Sequence, residues 1–323
     1  MKFTESQLKN YAAPLSQSEE QRCKNAIGMV RDAMKLIGYS DEGKEIRMYE
    51  TDTYAYALDL KSSGNEKITL LVQGSYANNT NVRTLSDVDV AVILESTFIT
   101  EYRAGVTDSN YNFSTGASFT VSTLKDDVER ALNKKFNCEG VERNDKSIKV
   151  HGNSYRVDSD VVPSYRFRDY RNDYYSNPEN YVGGIEIRPD SGGRIINYPE
   201  QHIKNGRSKN TETNHSFKKQ VRIAKKLKQI MVDEGYKSAE GISSFGLESL
   251  LWNIPNKTYT TYSSLRFVFD EILKYLSDNF HNFGSYKEAN GIKPLLGNST
   301  EIEKFKSFIL DLRIFYQYDI TEE

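Results

Sequence analysis

The chain has 323 residues, with 43 Lys and Arg against 45 Asp and Glu, which gives a formal net charge of −2. Its hydrophobic fraction of 37%, with 22 Tyr and 15 Phe, suffices for a packed core and excludes a disordered or low-complexity protein. No apolar run is long enough to predict a membrane span, and the charged residues 1–5 do not predict a signal peptide. Because Cys23 and Cys138 are isolated, neither a disulfide framework nor a Cys/His zinc site is expected, and a cytoplasmic protein is favoured.

The first predicted element is a long helix near the N-terminus. Pro14 and Ser16 indicate where it starts, and Gly38 indicates where it ends. Apolar side chains recur at helical spacing between them, at Ile27, Val30, Met34 and Ile37. The pattern is typical of an amphipathic helix that covers a core.

Strands dominate the sequence from about residue 45 to residue 200. Short apolar runs bounded by turn residues predict them at 68–72, 88–94, 148–150, 155–162, 185–188 and 195–198. One helix, at about 123–136, interrupts this series.

From about residue 205 onward, helical periodicity replaces the strand pattern. Helices are predicted at 217–231, 245–252, 265–276 and 305–315, after a loop around 204–213. Because strands come first and helices later, the pattern favours an α+β fold. We expect a mixed lobe over residues 1–203, which includes the long N-terminal helix, and a helical lobe over 204–323.

Two short motifs in the mixed lobe suggest phosphate and metal chemistry. Gly74 and Ser75 follow a predicted strand, where a glycine lets phosphate approach the backbone and a hydroxyl adds a donor. Asp87 and Asp89 lie at the start of the next strand, where period-two alternation places both carboxylates on one face. Two close carboxylates repel each other unless a cation lies between them, and hard oxygen ligands suit Mg²⁺.

A third carboxylate is available further along the chain. Asp158 and Asp160 also share one strand face, and a neighbouring strand can bring one of them beside the first pair. Such a set is typical of a two-metal site for in-line attack on phosphorus. Asp160 is favoured because it leads directly into an apolar Val-Val-Pro run, whereas Asp158 is expected to be a supporting or solvated carboxylate.

These motifs resemble those of the CD-NTases, the cyclic-oligonucleotide synthases of bacterial anti-phage defence (CBASS). That family is related to the animal cyclic GMP-AMP synthase and oligoadenylate synthase within the polymerase-β-like nucleotidyltransferases. The resemblance rests on Gly74-Ser75, Asp87-Val88-Asp89 and the segments 160–163, 197–199, 217–227 and 243–248.

The resemblance implies both a fold and a reaction. The fold would be a polymerase-β-like nucleotidyltransferase core with a mixed sheet, followed by a helical lobe, with the active site in the cleft between them. Asp87, Asp89 and Asp160 would hold two Mg²⁺ ions, with Mn²⁺ as an alternative. An acceptor ribose hydroxyl would attack the α-phosphate of ATP, GTP or UTP, release pyrophosphate and yield a cyclic product, most simply a cyclic dinucleotide, for a downstream effector that senses it.

The start of the helical lobe is rich in basic side chains. Residues 204–228 contain nine of them and a single acid, Glu212. Lys218, Arg222 and Lys225 recur at a spacing of three to four, so they can face one cleft. A solvated basic helix face is the alternative.

The resemblance also implies nucleotide contacts in this lobe. Lys225 and Ser244 match positions that bind the donor triphosphate, and Phe245 matches an aromatic residue that stacks on a base. Stacking suits any nucleobase. Plain core packing is the alternative for Phe245, and a structural role is favoured for Glu248.

Two other functions compete with cyclic-nucleotide synthesis. One is a nucleotidyltransferase that modifies a small molecule, a protein or an RNA end. The other is a catalytically degenerate nucleotide-binding module or a regulator that responds to double-stranded RNA. Intact acidic pairs argue against degeneracy because unused pairs repel. The near-neutral charge argues against stable nucleic-acid binding, and we expect a monomer.

Overall fold

The structure is a computed structural model that describes residues 2–42, 46–47, 52–83, 87–113 and 122–317. The chain forms two compact units. The sheet unit comprises Gln17–Ala77 and Ser86–Glu200, and the helical unit comprises Met1–Ser16, Asn78–Leu85 and Gln201–Glu323. No helix in the described residues is both long and apolar enough to cross a membrane.

The described residues form α-helices and β-strands in the following order. The helices are α1 (Glu5–Tyr11), α2 (Gln17–Lys35), α3 (Gly74–Ala77), α4 (Ser122–Phe136), α5 (Pro199–Glu212), α6 (Phe217–Asp233), α7 (Ser244–Trp252), α8 (Asn256–Thr260), α9 (Leu265–Asp278) and α10 (Ser299–Gln317). The strands are β1 (Tyr39–Asp41), β2 (Ile46–Arg47), β3 (Tyr56–Ser62), β4 (Lys67–Gln73), β5 (Val88–Glu101), β6 (Val141–Arg143), β7 (Ile148–Val150), β8 (Ser159–Asp169), β9 (Val182–Ile187) and β10 (Ile195–Asn197).

One mixed sheet organises the sheet unit. Its main strand order is β1-β3-β4-β5-β8-β7-β6, with β2 added on β3, and with β9 and β10 continuing from the far half of β8. Strands β5 and β8 pair in parallel, and the other pairs of described strands are antiparallel. The two longest strands therefore lie side by side at the centre and point the same way.

The two faces of the sheet differ in what they contact. Helices α2 and α4 pack on each other and on the central strands β5 and β8. A smaller apolar cluster occupies alternate positions of β4, β5, β8 and β9, at Leu71, Ala91, Ile93, Val162, Ile185 and Ile187. Because side chains two positions apart share a face, Asp89 and Asp160 lie on the same face as this cluster, where β5 and β8 begin.

The helical unit has its own apolar core. Helix α6 contributes Val221, Ala224, Leu227 and Met231, whose spacing of three to four places them on one buried stripe. Helices α7, α9 and α10 pack around it, and Phe3 and Leu8 from the N-terminal segment join the same core. The N-terminal segment is thus part of the helical unit because its apolar side chains are buried there.

The predicted α+β class is confirmed, and most predicted elements are present within a few residues of their expected bounds. The predicted loop at 204–213 is wrong, because these residues form most of α5. Helix α5 is polar, and its buried residues include His202, Lys209 and Asn210, which hydropathy assigns to a surface. The strand predicted at 155–162 begins only at Ser159. Sequence reasoning also missed α1, although Thr4 and Gln7 form a capping box at its start.

Candidate active site

A row of polar side chains crosses four neighbouring strands of the sheet unit. In the strand register, Gln73 of β4 lies opposite Asp89 of β5, Asp89 lies opposite Asp160 of β8, and Asp160 lies opposite Lys149 of β7. Residues in register on neighbouring strands project to the same face of a sheet. We call these four residues the polar row. The structure thus places Asp160 directly beside Asp89.

Asp87 adds a further charge next to the polar row. It is exposed and directly precedes β5, and the backbone N–H of Val88 donates to the carbonyl of Asp158 at 3.1 Å. Burial and the nearby negative charge of Asp87 both raise the pKa of Asp160 above its usual value. Burial is the larger cause of this raised pKa, and the charge of Asp87 adds to it.

The carboxylates of the polar row are hard oxygen donors. Among the described residues, no group of three or more His, Cys, Asp or Glu side chains is arranged to hold a metal ion. An incomplete set of carboxylates suits Mg²⁺, which keeps several waters and takes the remaining oxygens from substrate phosphates. The carboxylates of Asp89 and Asp160 on the polar row, with Asp87 beside it, are such an incomplete set.

Asp158 is engaged in a different way. Its carboxylate accepts hydrogen bonds from the backbone N–H of Gly152 at 2.6 Å and from Nζ of Lys149 at 2.9 Å. Although burial acts in the opposite direction, these contacts hold the pKa of Asp158 below its usual value. Of the two late carboxylates, Asp160 is therefore the one in the polar row, and Asp158 is in an ion pair.

The Gly-Ser turn lies against Asp89. Gly74 has a φ of +70°, a region that side chains other than glycine rarely adopt. A Cβ at this position would lie 1.9 Å from Oδ2 of Asp89 and 2.8 Å from its Cγ. Ser75 follows in the short helix α3 and is half-buried. Glycine is thus required here both for backbone conformation and for room beside the Asp89 carboxylate.

Lys225 lies in a buried polar network within the helical unit. Its ammonium donates to Oε2 of Glu248 at 2.7 Å and to Oγ1 of Thr80 at 3.1 Å. The other carboxylate oxygen of Glu248 lies 2.9 Å from Nε2 of His202. Although burial acts in the opposite direction, Lys225 and His202 hold the pKa of Glu248 well below its usual range. Thr80 and His202 were missed by sequence reasoning because an isolated polar residue gives no signal of burial.

The other basic residues of α6 are also buried. Lys218, Arg222 and Lys225 are 2%, 4% and 5% exposed, so the alternative of a solvated helix face is wrong for these three residues. Nε of Arg222 donates to the carbonyl of Ala12 at 2.7 Å, and its Nη1 donates to the carbonyl of Asn79. Arg222 therefore holds together separate chain segments of the helical unit.

Ser244 and Phe245 lie at the exposed start of α7. Ser243 caps this helix, since its hydroxyl accepts from the backbone N–H of Gly246 at 2.9 Å, and Ser244 follows it on the surface. Phe245 is 40% exposed and contacts the His202 ring edge-on, with the ring centres 5.2 Å apart. This exposure excludes the core-packing alternative for Phe245 and leaves part of its ring open for a stacking partner.

Comparisons with known proteins agree with the two units. A model described as a nucleotidyltransferase domain matches residues 56–177, and a model of the cGAS/DncV-like nucleotidyltransferase C-terminal helical domain matches residues 204–317. The chain is 42% identical over 319 residues to the cyclic GMP-AMP synthase CdnE03 of Staphylococcus schleiferi, which covers 98% of each chain. It is 38% identical over 295 residues to the cyclic dipyrimidine nucleotide synthase CdnE of Cecembia lonarensis, covering 91% and 90% of the two chains.

Solved structures show the same architecture. The CdnE cyclic dinucleotide synthase of Elizabethkingia meningoseptica, determined with GTP and Apcpp, matches with a TM-score of 0.73 at 27% identity, over 98% of this chain and 100% of that one. The CdnE c-UMP-AMP synthase of Rhodothermus marinus shares the fold, with a TM-score of 0.76 at 23% identity, over 99% and 100%.

The mixed sheet with its polar row, and the helical unit, are those of a nucleotidyltransferase. The chain belongs to the cGAS/DncV-like nucleotidyltransferases, the CD-NTases, as its motifs predicted. Nucleotidyltransferases of this kind generally use divalent metal ions, which agrees with the donor set beside Gly74.

Proposed function

We propose that this protein joins nucleoside triphosphates into a cyclic dinucleotide and releases pyrophosphate. One structural observation carries the proposal: Asp89 and Asp160 lie in register on neighbouring parallel strands, and Gly74 leaves room for the Asp89 carboxylate. Family membership supports it, because the relatives that cover nearly the whole chain are named as cyclic-nucleotide synthases.

The polar row would hold the metal and orient the reactants. We assign Asp87, Asp89 and Asp160 as ligands of two Mg²⁺ ions, with Mn²⁺ as the alternative. When bound, such ions neutralise charge on the reacting phosphates and polarise the phosphoryl group. Asp160 accepts a hydrogen bond from the acceptor ribose hydroxyl and so directs that oxygen at the α-phosphorus. A P–O bond to the acceptor forms, the bond to pyrophosphate breaks, and a second attack of the same kind closes the ring.

Gly74 and Ser75 are assigned to the donor phosphates. The positive φ of Gly74 turns the backbone where β4 ends, and the Ser75 hydroxyl is a hydrogen-bond donor. Side-chain bulk at residue 74 would displace the Asp89 carboxylate. The turn thus couples the position of the phosphates to that of a metal ligand.

Lys225, Ser244 and Phe245 are assigned to nucleotide binding by the helical unit. An ammonium group has three N–H donors, and Glu248 and Thr80 take two of those of Lys225 among the described residues. The third remains for a phosphate oxygen. The exposed hydroxyl of Ser244 offers another donor, and the exposed face of Phe245 offers a stacking surface.

The chemistry of the relatives guides the choice of substrate and setting. ATP and GTP are the first pair to test because the Staphylococcus schleiferi relative is named a cyclic GMP-AMP synthase. UTP follows, since another relative is named a cyclic UMP-AMP synthase. We further propose that the product acts in cytoplasmic anti-phage defence through an effector that senses it, and that the synthase acts as a monomer.

Product analysis tests this function directly. The purified protein is incubated with all four labelled NTPs and Mg²⁺ or Mn²⁺, followed by phosphatase treatment and mass analysis of the resistant products. The proposal expects a phosphatase-resistant cyclic dinucleotide formed from NTPs alone, and its mass identifies the bases. NTP consumption only after an acceptor is added would instead support transfer of a single nucleotide to a small molecule, a protein or an RNA end, and would overturn the proposal.

A further inference from the structure

Lys149 is the last residue of the polar row and places a positive charge beside Asp160. It lies opposite Asp160 in the register of β7 and β8, and its side chain is 34% exposed. The hydrogen bond and charge of Asp158 raise the pKa of Lys149, and the charges of Asp160 and Asp87 act in the same direction. A single ammonium group therefore lies within the field of three carboxylates.

The contacts of Lys149 are directed at Asp158 rather than at Asp160. Oδ2 of Asp158 lies 2.9 Å from the Lys149 ammonium, and Oδ1 accepts a hydrogen bond of 2.6 Å from the backbone N–H of Gly152. Both carboxylate oxygens are thus held in charge-assisted or short hydrogen bonds. Asp158 and Asp160 are two positions apart and would otherwise both be available to a cation at the start of β8.

We propose that Lys149 is a positioning residue that keeps Asp158 away from the metal, so that Asp160 is the carboxylate of β8 that binds it. This inference rests on the proposed function, because it concerns the same metal site. The Lys149 ammonium has two effects. It binds the Asp158 carboxylate, and it offsets one of the negative charges of Asp87, Asp158 and Asp160. Both effects lower the affinity of the site for a divalent cation. The ion pair also restricts the cation to the Asp160 carboxylate.

Direct measurement of Mn²⁺ binding tests this role without relying on turnover. The electron paramagnetic resonance signal of free Mn²⁺ is recorded during titration of the wild type and of Lys149→Met, Lys149→Arg and Lys149→Met/Asp158→Asn. Lys149→Met keeps most of the apolar stem but removes the charge and frees Asp158, so it should bind Mn²⁺ about threefold to tenfold more tightly. Lys149→Arg should resemble the wild type because a guanidinium can also hold Asp158.

The double variant separates positioning from a general loss of structure. Lys149→Met/Asp158→Asn removes the released carboxylate as well, so its affinity should return to within about twofold of wild type. Thermal melting of each variant confirms that it is folded. An unchanged or weaker Mn²⁺ affinity in Lys149→Met overturns the inference, and so does a double variant that binds as tightly as Lys149→Met.

Asp89→Asn distinguishes failure of this inference from failure of the metal site. The metal assignment requires that Asp89→Asn bind Mn²⁺ much more weakly than the wild type. Wild-type affinity in Asp89→Asn would overturn the metal site itself, and the role of Lys149 with it. Weak binding in Asp89→Asn together with unchanged binding in Lys149→Met would overturn only the role of Lys149.

Discussion

The two units of this protein each contain a cluster of charged side chains, and the clusters are built in opposite ways. In the sheet unit, Asp89 and Asp160 lie side by side, and burial together with the charge of Asp87 raises the pKa of Asp160. In the helical unit, Glu248 is surrounded by Lys225, His202 and Thr80, and its pKa is held low although the carboxyl is 2% exposed.

This difference leads to separate predictions for the two clusters. A charged group that is fully paired inside the protein has little to gain from a ligand, whereas removal of its partner leaves a buried charge uncompensated. Carboxylates that are gathered without sufficient positive charge gain from a bound cation. Under the proposed function, substitutions in the first cluster should change activity, whereas removal of Glu248 from the second should mainly change stability.

The largest expected effect is loss of turnover in Asp89→Asn. This change removes a proposed metal ligand, and it should lower the rate of product formation by about 1000-fold or more. Thermal melting checks that the variant is folded. Asp158→Asn is the matched control, since Asp158 is paired with Lys149, and it should keep most of the activity. Equal losses in the two variants would contradict the assignment of Asp89, rather than Asp158, to the metal.

Glu248→Ala should show the opposite behaviour and unfold more easily. It leaves Lys225 and His202 buried without their anionic partner, which should lower the free energy of unfolding by about 3–5 kcal/mol. Urea-induced unfolding measures this change. Glu303→Ala breaks the exposed pair with Lys306 in the same unit and should change stability by less than about 1 kcal/mol. A mild effect of Glu248→Ala would show that the network contributes little to the fold.

Gly74→Ala tests whether the turn before Asp89 is needed for activity. The new Cβ would clash with the Asp89 carboxylate in an already unfavourable backbone conformation, so turnover should fall by about 100-fold. Gly64→Ala is the control, because a Cβ there meets its nearest atom at an ordinary 3.7 Å. Steady-state rates of both variants are compared. Wild-type activity in Gly74→Ala would show that the Gly74 turn is not part of the active site.

Phe245→Leu tests whether the helical unit also contributes directly to nucleotide binding. Loss of the aromatic face should raise the KM for NTPs by about tenfold, with little change in stability, because the ring is exposed. Phe267→Leu is a suitable control, since this ring in the same unit is 47% exposed and contacts Tyr262. If both changes left KM unaltered, Phe245 would be an ordinary surface residue.

The smallest expected effect concerns the pH dependence of stability in the absence of metal. Because the pKa of Asp160 is higher in the folded state, its contribution to stability is fully present below the unfolded pKa and is lost as pH rises through the folded pKa. Asp160→Asn should therefore stabilise the metal-free protein at neutral pH, by less than about 1 kcal/mol, and give no such gain in acid. Thermal melting at both pH values checks the sign.

Local sequence signals predicted the sheet unit better than the polar interior of the helical unit. The apolar run at Val88 and the position of Asp160 before a buried strand were enough to predict neighbouring strands with facing carboxylates. The burial of Lys218, Arg222 and Lys225 follows from contacts with distant segments such as Ala12, Asn79 and Thr80, and no local pattern encodes those contacts. The same reason explains why α5, with its buried His202 and Lys209, resembled a loop.

The parallel pairing of β5 with β8 also affects when the active site can form during synthesis of the chain. Asp89 and Asp160 are far apart in the chain, and their strands meet only after the intervening segment, with α4, has folded back across the sheet. Non-local pairings of this kind form slowly, because a long loop must close first. A growing chain on the ribosome therefore carries both acidic motifs for some time before they can meet, so the proposed active site cannot form until synthesis and folding have passed β8.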